Sequence, residues 1–160
     1  MQKVAVIGAG YWGPNLIRNF AAIPGCEVHT VCDRSVERLS YISRLYPGVA
    51  VTTELGDVMK NPDIDAVAIA TPVASHHGLA SQALSAGKHT FVEKPLTRTV
   101  AEAEDLITLA REHNLALMVG HTFVYNSYVQ AIKELIESGD MGTVMYINAR
   151  RLNLGLFQRD

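Results

Sequence analysis

The sequence predicts an α/β fold: a doubly wound parallel sheet over residues 1–122, and over 123–160 the first helix and strand of a second, truncated α/β domain. Three observations carry this prediction. Short apolar runs, too brief for helices, alternate with amphipathic stretches through Gly120, and parallel strands require such crossover helices. The first run, Val4-Ala5-Val6-Ile7, is rich in β-branched residues and reads as a strand buried on both faces. Between that strand and the amphipathic stretch Asn15–Ala22 lie Gly8-Ala9-Gly10-Tyr11-Trp12-Gly13, a glycine spacing that is informative only between a strand and a helix.

The remaining elements follow in order. Ile23-Pro24-Gly25 marks a loop before a second strand, Val28–Cys32. Ser35 has the character of an N-cap for a helix over Val36–Tyr46, closed by Pro47-Gly48. A brief strand is expected over Val49–Val51, then a loop and short helix up to Asn61. Ala66–Ala70 reads as another buried strand, ending at Thr71-Pro72. Ser75–Ala86 has helical spacing and stops at Gly87. His89–Val92 is the next strand, and Thr99 with Glu102 forms a capping box for a helix reaching His113. Leu115–Val119 closes the alternation as a sixth strand.

After Gly120 the pattern changes. Ser127 is expected to cap a helix reaching Ser138, Gly139–Gly142 to turn, and Val144–Arg150 to alternate as a strand of another kind. One strand cannot make a sheet, so the expectation is the front part of a longer protein, cut just after its second domain begins.

With 160 residues, 48% of them hydrophobic, and a formal net charge of -2, the chain can bury a real core. It has neither the basic footprint of a nucleic-acid binder nor a polybasic stretch for a membrane surface. No apolar run is long enough to span a bilayer, and a cytoplasmic location is expected. Cys26 and Cys32 lack paired metal-ligand spacing and read as buried thiols in a reducing compartment. His76 and His77 are adjacent, a poor chelate on a helix, so no metal site is expected.

The glycine turn meets the demands of a pyrophosphate. Gly8 permits the tight turn, Gly10 removes a Cβ that would block the phosphate, and Gly13 lets the helix pack close to the strand. The backbone amides of Tyr11 and Trp12 are placed to face the anion, while the Trp12 side chain is expected to pack. Asp33, at the end of the second strand, can accept both ribose hydroxyls of an adenosine and would repel a 2′-phosphate. NAD is therefore the expected cofactor. NADP is weakened but stays open, because Arg34 beside Asp33 can stack on the base or pair with a 2′-phosphate.

Ligands of an open parallel sheet bind outside the carboxyl ends of its strands. Asp33, Thr71-Pro72 with His76, and Glu93-Lys94-Pro95 occupy three such ends and are expected to converge on one cleft. Lys94 is the candidate catalytic residue, because an ammonium near a nicotinamide can hold a substrate hydroxyl and stabilise a developing alkoxide. His76 is read as a contact to cofactor or substrate, or equally as a residue that caps or packs. His121, Tyr125 and Asn126 follow the sixth strand and are candidates for the nicotinamide end, with core packing an equal alternative for Tyr125.

At Gly8–Gly13, Ala70-Thr71-Pro72, Gly87-Lys88-His89 and Glu93-Lys94-Pro95-Leu96 the sequence resembles the Gfo/Idh/MocA oxidoreductases. The resemblance covers nearly the whole chain. It implies an NAD(P)-binding N-terminal domain and a C-terminal α/β domain whose sheet supplies the substrate site and often the contact of a homo-oligomer. It implies that Lys94 is the catalytic-site lysine, that Glu93 and Pro95 shape the nicotinamide pocket, and that the substrate is a sugar or cyclitol. Two departures accompany it. Val124-Tyr125-Asn126-Ser127 stands where the family often has a basic residue, an aromatic, Asn and Pro, and the Asp and His of the family's second-domain motif have no counterpart before Asp160. Arg151-Leu152-Asn153-Leu154-Gly155 is similar to members near nucleotide-sugar metabolism.

The expected activity is hydride transfer between nicotinamide and the carbinol carbon of a sugar, nucleotide sugar or cyclitol, with little or no turnover by the 160-residue chain alone. The alternative is a non-catalytic NAD(H)-binding redox sensor, which would have no need of a reactive ammonium at Lys94.

Overall fold

The computed structural model describes residues 1–150 and 152. Strands Gln2–Ile7 (β1), Cys26–Cys32 (β2), Ala50–Thr52 (β3), Ala66–Ile69 (β4), His89–Val92 (β5) and Leu117–Val119 (β6) form one sheet in the order β3-β2-β1-β4-β5-β6. All five pairings are parallel. Helices Gly13–Ala21 (α1), Val36–Leu45 (α2), Leu55–Met59 (α3), His76–Ser85 (α4) and Val100–Glu112 (α5) are the crossovers. This is the doubly wound sheet that the alternation predicts.

Period-2 alternation explains why the strands read as continuous apolar runs. Val4 and Val6 pack with Leu16 and Ile17 of α1 and Leu39 and Ile42 of α2. Ala5 and Ile7, pointing the other way, pack with Leu84 of α4 and Leu106 of α5. The chain order reverses between β1 and β4, where Ile7 stands beside Ile69. Crevices outside such a reversal are where this architecture binds ligands.

Several boundaries differ from the sequence expectation for local reasons. Helix α1 begins at Gly13, two residues early, because Pro14 is acceptable in a first helical turn. The Ser35 cap and the Thr99–Glu102 capping box form as expected. Strand β6 starts at Leu117 because the Leu115 N–H donates to the Ala110 carbonyl at 2.8 Å, closing α5 through Asn114 in the left-handed region.

The chain divides into two compact units, Met1–His121 and the residues from Thr122 on. Within the second, a helix runs over Ser127–Glu137 (α6), capped by Asn126 rather than Ser127: Asn126 Oδ1 accepts the N–H groups of Tyr128 and Val129. The expected strand over Val144–Arg150 does not form; these residues are irregular and exposed. A strand is defined by its hydrogen-bonded ladder, and the described residues of this unit include no second strand to pair with it. Apart from Leu152, the Arg151–Gly155 segment lies outside the described residues.

Candidate active site

The glycines of the first turn have different reasons for being glycine. Gly8, with φ +98°, donates its N–H to the Cys32 carbonyl at 2.8 Å. A Cβ there would meet the Ala70 carbonyl oxygen at 2.8 Å and Thr71 Cγ2 at 3.0 Å. At Gly13 a Cβ would lie 2.1 Å from the Gly8 carbonyl oxygen. Both glycines are demanded by the packing of β1, β4 and α1. Gly10 is not: the nearest atom to a Cβ there is Arg38 Nη1 at an ordinary 3.6 Å. A Cβ at Gly10 would be accommodated beside Arg38, so among the described residues no packing contact calls for glycine there.

The same turn holds unpaired donors. The backbone N–H groups of Gly10, Tyr11, Trp12 and Gly13 make no hydrogen bond among the described residues, and Pro14 has none to offer. Such a row at the start of a nine-residue helix attracts an anion. A turn with four unpaired N–H groups and no side chain at Gly10 fits the pyrophosphate of a dinucleotide.

Asp33 braces this turn as well as bordering it. Its Oδ2 accepts the Ala9 N–H at 2.6 Å, its Oδ1 accepts the Ser35 N–H at 2.8 Å, and Arg38 Nη1 approaches Oδ2 at 3.7 Å. Each carboxylate oxygen retains acceptor capacity for a hydroxyl. Arg38 lies one helical turn into α2, its N–H on the Ser35 cap, which brings it back over Asp33; Arg34, adjacent in sequence, is exposed. Sequence reading missed Arg38, although the Ser35 cap held the signal. Burial and the nearby Asp33, Asp57 and Glu54 push the Cys32 thiol up, as burial does for Cys26, and both read as unreactive thiols.

The ends of β4 and β5 are tied together by His76. It is 1% exposed, with Nδ1 2.8 Å from the Pro95 carbonyl oxygen and Nε2 2.7 Å from that of Thr71. Of the two readings for His76, this arrangement, with both ring nitrogens facing backbone carbonyls, suits the second, a residue that caps or packs. It holds the Thr71-Pro72 turn, where Thr71 Oγ1 accepts from Ser75 at 2.7 Å, against the cis Lys94–Pro95 segment.

Glu93 ends β5 facing inward, 8% exposed, and Lys94 faces solvent. The Trp12 indole N–H donates to Glu93 Oε1 at 2.6 Å, and the Lys94 backbone N–H reaches Oε2 at 3.3 Å. Behind the carboxyl group stands Gly120, where a Cβ would lie 3.1 Å from three of its atoms. Trp12 therefore does more than pack, and the sequence carried no signal for its bond to a residue 81 positions away. The Lys94 ammonium has no partner among the described residues.

Within the first unit, then, the turn after β1, Asp33, Thr71-Pro72 and Glu93-Lys94-Pro95 are joined by direct contacts at the carboxyl edge of the sheet. Asn126 belongs to the second unit, where its Oδ1 caps α6. Among the described residues no cluster of three or more His, Cys, Asp or Glu could hold a metal ion, and no helix is long and apolar enough to cross a membrane.

Comparison with known proteins bears on this edge. Residues 2–121 match the Gfo/Idh/MocA family, described as oxidoreductases with an NAD-binding Rossmann fold. A dTDP-3,4-didehydro-2,6-dideoxy-alpha-D-glucose 3-reductase from Streptomyces violaceoruber is 37% identical over 130 residues, 81% of this chain and 38% of that protein. Among solved structures, scyllo-inositol dehydrogenase from Lactobacillus casei with bound NAD(H) and scyllo-inositol aligns with a TM-score of 0.81 at 27% identity, covering 89% of this chain and 42% of the other. A 3-ketoreductase from Actinomadura kijaniata, in complex with TDP-benzene and NADP, aligns at 0.78 with 28% identity, covering 86% and 44%. The chain spans between 38% and 44% of the length of the first curated relatives it matches.

Proposed function

The chain belongs to the Gfo/Idh/MocA oxidoreductases, and from that premise we propose that it is the cofactor-binding part of an NAD(P)-dependent enzyme acting on the carbinol carbon of a sugar, nucleotide sugar or cyclitol. On this reading residues 1–122 hold the dinucleotide and 123–160 open a substrate and oligomerisation domain. The observation that carries it is the turn Gly10–Gly13: among the described residues no packing contact requires glycine at Gly10, and all four N–H groups of the turn are unpaired.

The residues divide the work by position. Gly10, Tyr11, Trp12 and Gly13 offer N–H groups to the pyrophosphate, and Asp33, beside Arg38, offers acceptor capacity to the adenosine ribose. NAD is the preferred cofactor, because the Asp33 carboxylate disfavours a 2′-phosphate. When bound, the nicotinamide supplies or accepts a hydride. Lys94, unpaired at the end of β5, binds the substrate hydroxyl and stabilises its developing negative charge, while Glu93 and Pro95 hold the lysine's backbone in place. Nucleotide-sugar and inositol enzymes among the relatives support this substrate class.

Calorimetric titration of the chain with NAD and with NADP tests the reading. Binding of NAD with preference over NADP is expected. Preference for NADP would make Arg34 and Arg38 outweigh Asp33, and binding of neither would remove the dinucleotide reading for this chain.

A further inference from the structure

We infer that Trp12, through its indole N–H on Glu93, is a positioning residue that couples the phosphate-binding turn to the segment carrying Lys94; the inference rests on the dinucleotide reading of that turn. The bond joins the turn after β1 to the end of β5 at 2.6 Å. Trp12 is the N-cap of α1, and its own backbone N–H is one of the four unpaired donors. Whatever anion those donors bind, the backbone that carries the indole is part of its site.

At the other end, Glu93 is buried and its carboxyl group has two donors, the Trp12 indole and the Lys94 N–H. Gly120 closes the space behind it. A buried carboxyl group short of donors is costly, so removing the indole N–H forces Glu93 to seek another partner. Its remaining donor is the backbone of Lys94, the residue whose placement matters for the chemistry.

Packing alone does not explain Trp12. The residue is 42% exposed, its ring stacked on Tyr11 with centroids 6.5 Å apart, yet its Nε1 reaches the buried carboxyl group. An indole kept for its apolar area would bury the ring; here the donor is inside and much of the ring is left out.

Trp12 is the one tryptophan of the chain, so a ¹⁵N–¹H spectrum holds a single indole N–H resonance and needs no assignment. In the unaltered chain that resonance is expected downfield, and E93Q should move it upfield. NAD should shift it, and so should ADP-ribose, which brings the pyrophosphate without nicotinamide, whereas adenosine should leave it in place. W12F should weaken NAD binding by about tenfold, and by less than about threefold in an E93Q background, since a coupled pair is not additive.

A resonance unmoved by E93Q, or additive losses in the two variants, would overturn the inference. NAD binding that leaves the indole unmoved would overturn it alone, while failure of the unaltered chain to bind either NAD or ADP-ribose would overturn the dinucleotide reading and this coupling together. The titration of the unaltered chain does not depend on W12F folding.

Discussion

The backbone N–H of Ala9 donates to Asp33 Oδ2 at 2.6 Å, so the carboxylate proposed to meet the ribose also holds the glycine turn. Replacing it acts on both. Asp33→Asn exchanges a charged acceptor for a neutral one and releases Arg38 from its 3.7 Å approach. Hydrogen bonds to charged groups contribute about 1.5–3 kcal/mol, so NAD affinity should fall about 10- to 100-fold. NADP affinity should fall less, because the negative charge opposing a 2′-phosphate is gone and Arg38 is free to meet it. Parallel titrations of the variant with both dinucleotides give the ratio; equal losses for the two would refute this account of Asp33.

Gly10 and Gly13 should separate binding from folding. At Gly13 a Cβ would lie 2.1 Å from a backbone carbonyl oxygen that no rotamer change can move. Gly13→Ala should therefore lower stability by about 2 kcal/mol or more, by overpacking, visible as an earlier denaturant midpoint. Gly10→Ala meets Arg38 Nη1 at 3.6 Å and should unfold like the unaltered chain. It should nonetheless lose most of its dinucleotide affinity, because the methyl group fills the space before the free N–H groups. Loss of stability in Gly10→Ala, with binding intact, would be the opposite of this expectation.

Local chemistry explains what was legible beforehand. The strands stand out because both of their faces are buried, and the Ser35 and Thr99–Glu102 caps because short-range hydrogen bonds set them. The glycine turn, Asp33 and Glu93-Lys94-Pro95 were legible as strand ends. What escaped depends on distance in sequence: the Trp12–Glu93 bond and the approach of Arg38 to Asp33 arise only when the sheet brings their elements together. His76 was ambiguous because its two partners, Thr71 and Pro95, are backbone carbonyls, which any sequence supplies. The strand expected over Val144–Arg150 failed for the converse reason: alternation shows that a segment can join a sheet, not that it finds a partner strand, and the described residues of its own unit hold none.

Lys88 gives the fold a signature at alkaline pH. It is 4% exposed, and its Nζ donates to the carbonyls of Asn61 at 2.7 Å and Ile64 at 2.8 Å, tying the loop before β4 to the start of β5. Burial pulls its pKa below the ordinary 10.5, with Asp65 opposing in part. Once pH passes that lowered value, the folded chain carries fewer protons at this site than the unfolded chain, so the site's contribution to stability rises with pH up to 10.5 and is level above it. The neutral amine still donates to both carbonyls, so the tie survives deprotonation. Lys88→Met keeps much of the buried stem but leaves the two carbonyls without their donor, which should cost about 1–3 kcal/mol at neutral pH. The deficit of the variant relative to the unaltered chain should then widen as pH climbs toward 10.5, because only the lysine sheds its burial penalty there. Urea unfolding of both chains across that range measures the difference; a deficit that shrinks with rising pH would mean that the ammonium, not the amine, is the form the fold prefers.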